Sequence, residues 1–473
     1  MRLRPIAQAA STAAIALALL FQTGLQPAGA ASSSDESPQV VSTVGPLGAS
    51  LPSLSQLRQD WAQRRTIADA PALRAAPTAG GTPLETVGPA AAWASHAVEP
   101  AAVAPAGSTA GRSRTLAAGS DLYSEPSHSM TAQECRDGLG TDKKFFIKSR
   151  FAVCSGASFT QEWIKDNKPV GASTFGFLAI GTIAKSSRTM NVQYRYVQMQ
   201  TTGETGVSTF MVTPSVTIPQ IWPSTARTSQ GGSVPAAQSF AALKAQTEPG
   251  FQHNVTVASG QGDAPDDTVF AVYQPKLKLR VDGAWKMSGA LSGEPFFLAP
   301  RWDKAQYVSA NDGAAVMSYL VAMPFSTKAD APERLAAQHI KDAYENPATT
   351  KPDNASKDIP GRTADRPLTR LYADTSRRNA NRRAAVATCK KYWGDNYADG
   401  NKECDEFPFS TTYEGAAQAS KTYDPQGKTP KNNYSARPIP RADNGAGGSL
   451  MSLFYLYNRI IDGADDGFLI EVN

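Results

Sequence analysis

The strongest constraint on the fold is a change of texture near residue 131. From there to about residue 328, short runs of β-branched and aromatic residues alternate with polar ones, as in 145–153, 175–183, 190–199, 208–218, 268–273 and 276–281. A period of two puts successive side chains on opposite faces, which suits a strand and not a helix. Gly, Pro and Asn punctuate the runs at short spacing, so residues 131–328 are expected to form a β-rich domain, an antiparallel sandwich or barrel. No catalytic constellation is visible there. His253, Trp163, Trp285 and Trp302 read as packing residues, and architecture alone names no partner for the region.

The N-terminal flank sets the compartment. Residues 1–31 read as a secretion signal: Arg2 and Arg4 precede an apolar run at 13–21, and Ala28-Gly29-Ala30 supplies small residues for cleavage. That run falls short of the roughly 20 residues a permanent span needs. No later stretch is apolar enough to span, so a secreted, extracellular chain with no membrane partner is expected. Residues 32–130 are rich in Ala, Pro, Ser, Thr and Gly and read as a low-complexity spacer, because so little apolar surface does not offset chain ordering. Within it, 51–76 has the pattern of a short amphipathic helix.

Export also decides how the four cysteines read. An oxidising compartment favours disulfides over zinc or thiol chemistry. Of the three pairings, proximity favours Cys135 with Cys154 and Cys389 with Cys404. The second closes a loop of about 15 residues, for which chain entropy gives ~3 kcal/mol.

A chain of 473 residues predicts two or three domains. Its 47 Lys and Arg against 42 Asp and Glu decide nothing as totals, but their distribution does. Residues 329–360 read as a helix and linker, with Leu335, Ala336, His339, Ile340 and Ala343 on one stripe. Between Arg362 and Lys391, nine cations then stand against only Asp365 and Asp374, with Arg378 and Arg382 at helical spacing. That run leads to Cys404-Asp405-Glu406-Phe407-Pro408-Phe409, then Glu414-Gly415, then Asp443-Asn444-Gly445. A lone Asp-Glu pair is as well explained by a solvated turn, but Pro408 and Cys404 fix the backbone on either side of this one. Arginines beside carboxylates that can hold a cation suit a polyanion gripped by its phosphates, and no groove-reading motif is present. Leu450, Leu453, Phe454, Tyr457 and Ile461 predict a helix from about Ser449, with Ser449 as its N-cap. Asp465-Asp466-Gly467 then turns the chain into a last strand at 468–472.

The Asp-Glu-aromatic-Pro run, the Glu-Gly that follows and the Asn before a Gly-rich turn resemble the NucA/NucB family of secreted bacterial deoxyribonucleases. The resemblance covers residues 361–473 and nothing before them. It implies a small α+β domain like the ββα-metal nucleases, cutting DNA through backbone contacts with little sequence specificity and one divalent metal, Mg2+ or Mn2+. On that resemblance Asp405 is the general base and Asn444 the metal ligand. Glu406 orients the metal's waters or a basic partner, and Glu414 with Gly415 holds the loop. Arg377, Arg378, Arg382, Arg383, Arg437 and Arg441 are candidate phosphate contacts. Histidine is the usual base near neutral pH, but none follows His339, so sequence reasoning gives the role to a carboxylate. Two departures from the family's common pattern stand out: Gly445 in place of an Arg, and Leu450 where a Trp is common.

Two other readings remain open at this point. One is a non-catalytic secreted protein that binds DNA or a surface. The other is an antibacterial nuclease toxin, which would require an immunity protein as partner.

Overall fold

The alternating runs after residue 131 form two large sheets. The computed structural model describes residues 37–48, 51–66, 122–309 and 312–473; the secretion signal expected at 1–31 lies outside the described residues. The first sheet has eight strands, in the order Lys286–Gly289, Gln39–Gly45, Ala152–Lys165, Lys168–Ile183, Thr189–Gly203, Gly250–Thr256 and Ser229–Gly232, with Phe145–Ser149 paired to Ala152–Lys165. The second has six: Ala314–Met317, Pro300–Asp303, Val269–Val281, Phe210–Trp222 and Gln238–Ser239, with Ser292–Gly293 on Val269–Val281. Neither closes into a barrel.

Burial explains the patterns in the sequence. Thr189–Gly203 begins with strict alternation of buried and half-buried residues, whereas the central Lys168–Ile183 is buried on nearly every residue. Phe159, Phe175 and Phe177 of the first sheet and Phe210, Val269 and Tyr273 of the second belong to one core. The Tyr194 and Tyr273 hydroxyls meet there at 2.8 Å. Trp163, Trp302 and His253 are buried in it, His253 Nδ1 lying 3.0 Å from the Tyr273 hydroxyl.

The stretch read as a spacer is more structured than its composition suggests. Gln39–Gly45 is a strand, antiparallel to Ala152–Lys165 and parallel to Lys286–Gly289, and Leu54–Thr66 is a helix. Seven residues that bury Val40 and Ser42 are enough to join a sheet, and they are diluted in an average over a hundred. Tyr123 is buried as well, its ring stacked against Tyr457.

The C-terminal part is built on two smaller sheets and three helices. Gly467–Val472 lies parallel to Val321–Phe325 and antiparallel to Leu368–Thr369. Lys402–Phe407 pairs antiparallel with Ser435–Pro440 across the long loop at 408–434. The helices are Arg334–Glu345, Thr375–Trp393 and Arg441–Tyr457, called below the histidine, arginine and glycine helices. Two disulfides, Cys135–Cys154 and Cys389–Cys404, are present, the second tying the arginine helix to the strand Lys402–Phe407.

A buried ionic network joins this part to the large sheets. Asp466 takes Arg150 at 2.7 Å and Arg301 at 2.5 Å, while Asp303 takes Arg301 at 3.0 Å and Arg459 at 2.5 Å. All five side chains are at most 3% exposed. Charges so far from water persist only when paired and hydrogen-bonded. Residues 37–473 accordingly belong to one compact unit.

Candidate active site

The strand Lys402–Phe407 presents the acidic pair and three neighbouring elements fix it. Asp374 caps the arginine helix, its carboxylate accepting from the Arg377 N–H at 2.8 Å. The buried face of that helix, Asn381, Ala385, Thr388 and Cys389, packs toward the strand. Its Arg382 donates to the Glu406 carboxylate and to the Cys404 carbonyl oxygen. Burial pushes the Glu406 carboxyl up to about 7; Arg382 opposes that shift and the Asp405 charge adds to it.

Asp405 is held from another side, by a residue that sequence reasoning placed outside the site. His339 on the histidine helix is 0% exposed, with Nδ1 2.6 Å from Asp405 Oδ2 and Nε2 2.7 Å from Ser435 Oγ. A carboxylate only accepts, so Nδ1–H is the donor and the tautomer is set by Asp405. The expectation that no imidazole stands near the acids is therefore corrected. His339 is 66 residues from Asp405 in the chain and adjacent to it in space. The only signal for it was a polar residue on an otherwise apolar helical stripe.

The glycine helix also starts earlier than expected. It runs from Arg441, immediately after Pro440, so Asn444 lies in its first turn. Ser449 is therefore not an N-cap but an interior residue, its hydroxyl donating to the Gly445 carbonyl oxygen at 2.9 Å. Of the three glycines in this helix, Gly447 has a packing reason: a Cβ there would stand 3.3 Å from the Ala336 methyl and 3.4 Å from the Phe325 ring. The missing side chain lets the glycine and histidine helices approach closely. Asn444 Nδ2 donates to Glu403 at 2.8 Å, which leaves its amide oxygen without a hydrogen bond among the described residues. Asp443 accepts from the Leu335 N–H at 2.9 Å and so joins the two helices.

Asp405, Glu406, Arg382, Ser410 and Asn444 line one hollow of about 230 Å³, with Phe409 and Met451 among its apolar walls. The other candidates are placed differently. Glu414 does not line the hollow; it accepts from the Thr369 N–H at 2.9 Å and hydroxyl at 2.7 Å. Gly415 beside it abuts Asn381, whose amide donates to the Ser410 and Thr412 carbonyl oxygens and accepts from the Ala417 N–H. Asn381 thus holds the loop after the acids, a role the sequence did not reveal. Arg377 is enclosed by the Tyr413 and Tyr423 rings and donates to the Tyr413 carbonyl oxygen, and Arg437 is paired with Asp342 at 2.7 Å. Arg441 pairs with Glu403 at 3.1 Å but is 65% exposed, and Arg383 is exposed. Arg378 lies one turn before Arg382 on the same helix.

Among the described residues, no group of three or more His, Cys, Asp or Glu side chains is arranged to hold a metal ion. No curated protein and no solved structure gives a significant match to the chain. The family model described as Deoxyribonuclease NucA/NucB matches residues 360–468, so the C-terminal segment that carries Asp405, Glu406, Arg382 and Asn444 is similar to that family.

Proposed function

We propose that this protein is a secreted, metal-dependent endonuclease that hydrolyses the phosphodiester backbone of DNA with little sequence specificity. One observation carries the reading: Asp405, Glu406, Arg382 and Asn444, all within the segment that matches the deoxyribonuclease family, share a single hollow. In this reading residues 361–473 are the nuclease and the β-rich region at 131–328 is its scaffold. The two disulfides support secretion, and no helix among the described residues is long and apolar enough to cross a membrane.

Phosphodiester hydrolysis needs a base to take a proton from water and positive charge to answer the phosphate. Asp405 takes the proton on the carboxylate oxygen that His339 leaves free. His339 keeps the carboxylate oriented and stays outside the reaction, since both its nitrogens are engaged and it is fully buried. Arg382 grips a phosphate oxygen, with Arg378 and Arg441 farther along the strand's path. Glu406, with a carboxyl near 7, holds Arg382 and can carry a proton at neutral pH.

The donors in the hollow fit a hard divalent cation. Mg2+ binds through one or two protein oxygens and keeps several waters, so a three-residue cage is not required. The unengaged Asn444 amide oxygen would hold it, with two carboxylates nearby to balance its charge. The chemistry such a cation supplies is neutralisation of charge at the phosphoryl group.

Incubating the purified protein with plasmid DNA in Mg2+, Mn2+ and chelator, beside an Asp405→Ala variant, tests the reading. Cutting is expected with metal and is expected to disappear with chelator and in the variant. Equal cutting by Asp405→Ala would remove Asp405 from the mechanism.

A further inference from the structure

A second hollow lies beside the first, and of its lining only Arg378 enters the chemistry proposed above. It measures about 270 Å³ and is lined by Tyr307, Tyr372, Arg370, Arg378, Met451 and Leu456, among others. Tyr307 and Tyr372 stack at 4.0 Å with an interplanar angle of 12°. The Arg370 guanidinium lies over both rings, 5.2 Å from each, and 4.6 Å from the Tyr455 ring, and it donates to the Ile460 carbonyl oxygen. Arg378 reaches over Tyr372 at 5.9 Å and forms no ion pair among the described residues. Tyr372 and Leu456 are among the few large apolar side chains left exposed, at 38% and 41%.

We propose that this hollow is a nucleotide subsite, holding one unstacked base of the DNA strand whose neighbouring phosphate occupies the Asp405 hollow. The proposal deepens the nuclease reading and rests on it for the position of that phosphate. Three observations select this occupant. The two hollows adjoin: Met451 lines both, Thr411 of one follows Ser410 of the other, and Arg378 and Arg382 sit one helical turn apart. The lining pairs aromatic faces with guanidinium groups, the combination that receives bases and backbone of single strands. The volume also falls below the roughly 300–1,000 Å³ typical of drug-sized pockets, which suits a single base.

A base reaches this wall only after leaving its stack, so the subsite favours single strands, frayed ends and nicked sites over intact duplex. Tyr307 comes from a loop between the strands Pro300–Asp303 and Ala314–Met317, outside the segment matched by the family. The upstream part of the chain thereby supplies one side of the groove.

The test uses the full chain carrying Asp405→Ala, so that the probe survives, and fluorescence polarisation with a labelled single-stranded oligonucleotide. Adding Tyr372→Ala is expected to raise Kd about ten-fold, the size of one lost stacking contact, while Tyr372→Phe stays within about two-fold. Leu456→Glu, on an exposed helix position, is expected to weaken binding similarly and guards against misfolding of the tyrosine variant. In the chain with Asp405 intact, Tyr372→Ala should raise KM for single strands more than it lowers kcat. Unchanged Kd in both Tyr372→Ala and Leu456→Glu overturns the subsite, even if the wild type cuts DNA. Weakened binding in both variants, with a wild type that cuts nothing, supports the subsite and overturns the nuclease reading alone. No binding and no cutting overturns both.

Discussion

His339→Ala separates orientation of the proposed base, Asp405, from simple packing. The imidazole is fully buried and makes two hydrogen bonds, at 2.6 Å to Asp405 and 2.7 Å to Ser435. A hydrogen bond to a charged group contributes about 1.5–3 kcal/mol and one to a hydroxyl about 1 kcal/mol. Removing the partner of a buried charge adds a penalty, but the Asp405 side chain is 12% exposed and borders the hollow, so water can replace part of what is lost. The balance is a destabilisation of about 3 kcal/mol. Without its partner the carboxylate turns among rotamers, and kcat is expected to fall about 100-fold, the lower end of what a positioned base contributes. His339→Asn keeps a donor toward Asp405 and is expected to recover part of kcat while remaining destabilised. Urea unfolding gives the stability and plasmid nicking at saturating DNA gives kcat. A folded His339→Ala protein that nicks at the wild-type rate would refute the positioning argument, leaving His339 as packing.

Two further outcomes follow from buried charges. The Glu406 carboxyl is raised from 4.5 to about 7, so its contribution to stability is complete below pH 4.5 and is lost as pH rises through 7, about 3 kcal/mol over that window at 1.36 kcal/mol per unit. Thermal melts from pH 4 to 8 should show wild type losing stability relative to Glu406→Gln, which cannot ionise; parallel curves would refute the shift. At Asp466, burial raises the carboxyl, but Arg150 and Arg301 outweigh it and hold it below 3.8, so its contribution is present above that pH and is lost on acidification. Asp466→Asn is expected to cost about 3–5 kcal/mol at neutral pH, because two guanidiniums stay buried beside a neutral amide; an unchanged melting temperature would show that the network contributes nothing net.

What the sequence disclosed depended on how local each signal was. The runs after residue 131 were legible because alternation is a property of neighbours, as the buried pattern of Thr189–Gly203 shows. Asp405, Glu406 and Asn444 were legible as a motif, and the two disulfides as neighbouring cysteines. Gln39–Gly45 was not, since its partners Ala152–Lys165 and Lys286–Gly289 lie far along the chain. The start of the glycine helix was hidden by Gly445, Gly447 and Gly448, each costing a helix roughly 1 kcal/mol relative to Ala. Close approach to Ala336 outweighs that at Gly447, and nothing near Arg441 in the sequence says so. His339 and Asn381 were missed for the same reason: each acts on a loop or strand that only the folded chain brings to it.

The topology explains why these long-range residues belong to the site. Val321–Phe325 and Gly467–Val472 are neighbouring parallel strands, and parallel neighbours must be joined by a crossover. Here the crossover is everything from 326 to 466: the histidine helix, the arginine helix, the acidic strand and the glycine helix. Its first helix delivers His339 to Asp405, and its end delivers Asp466 to Arg150 and Arg301. The segment matched by the family, 360–468, begins after the first of these and stops within the last strand. A cut near residue 330 would therefore leave the acids and arginines together while taking away the parallel partner of Gly467–Val472 and both guanidiniums that neutralise Asp466. The proposed nuclease is larger than its recognisable motif, because the motif marks where the candidate site sits and the crossover decides what holds it there.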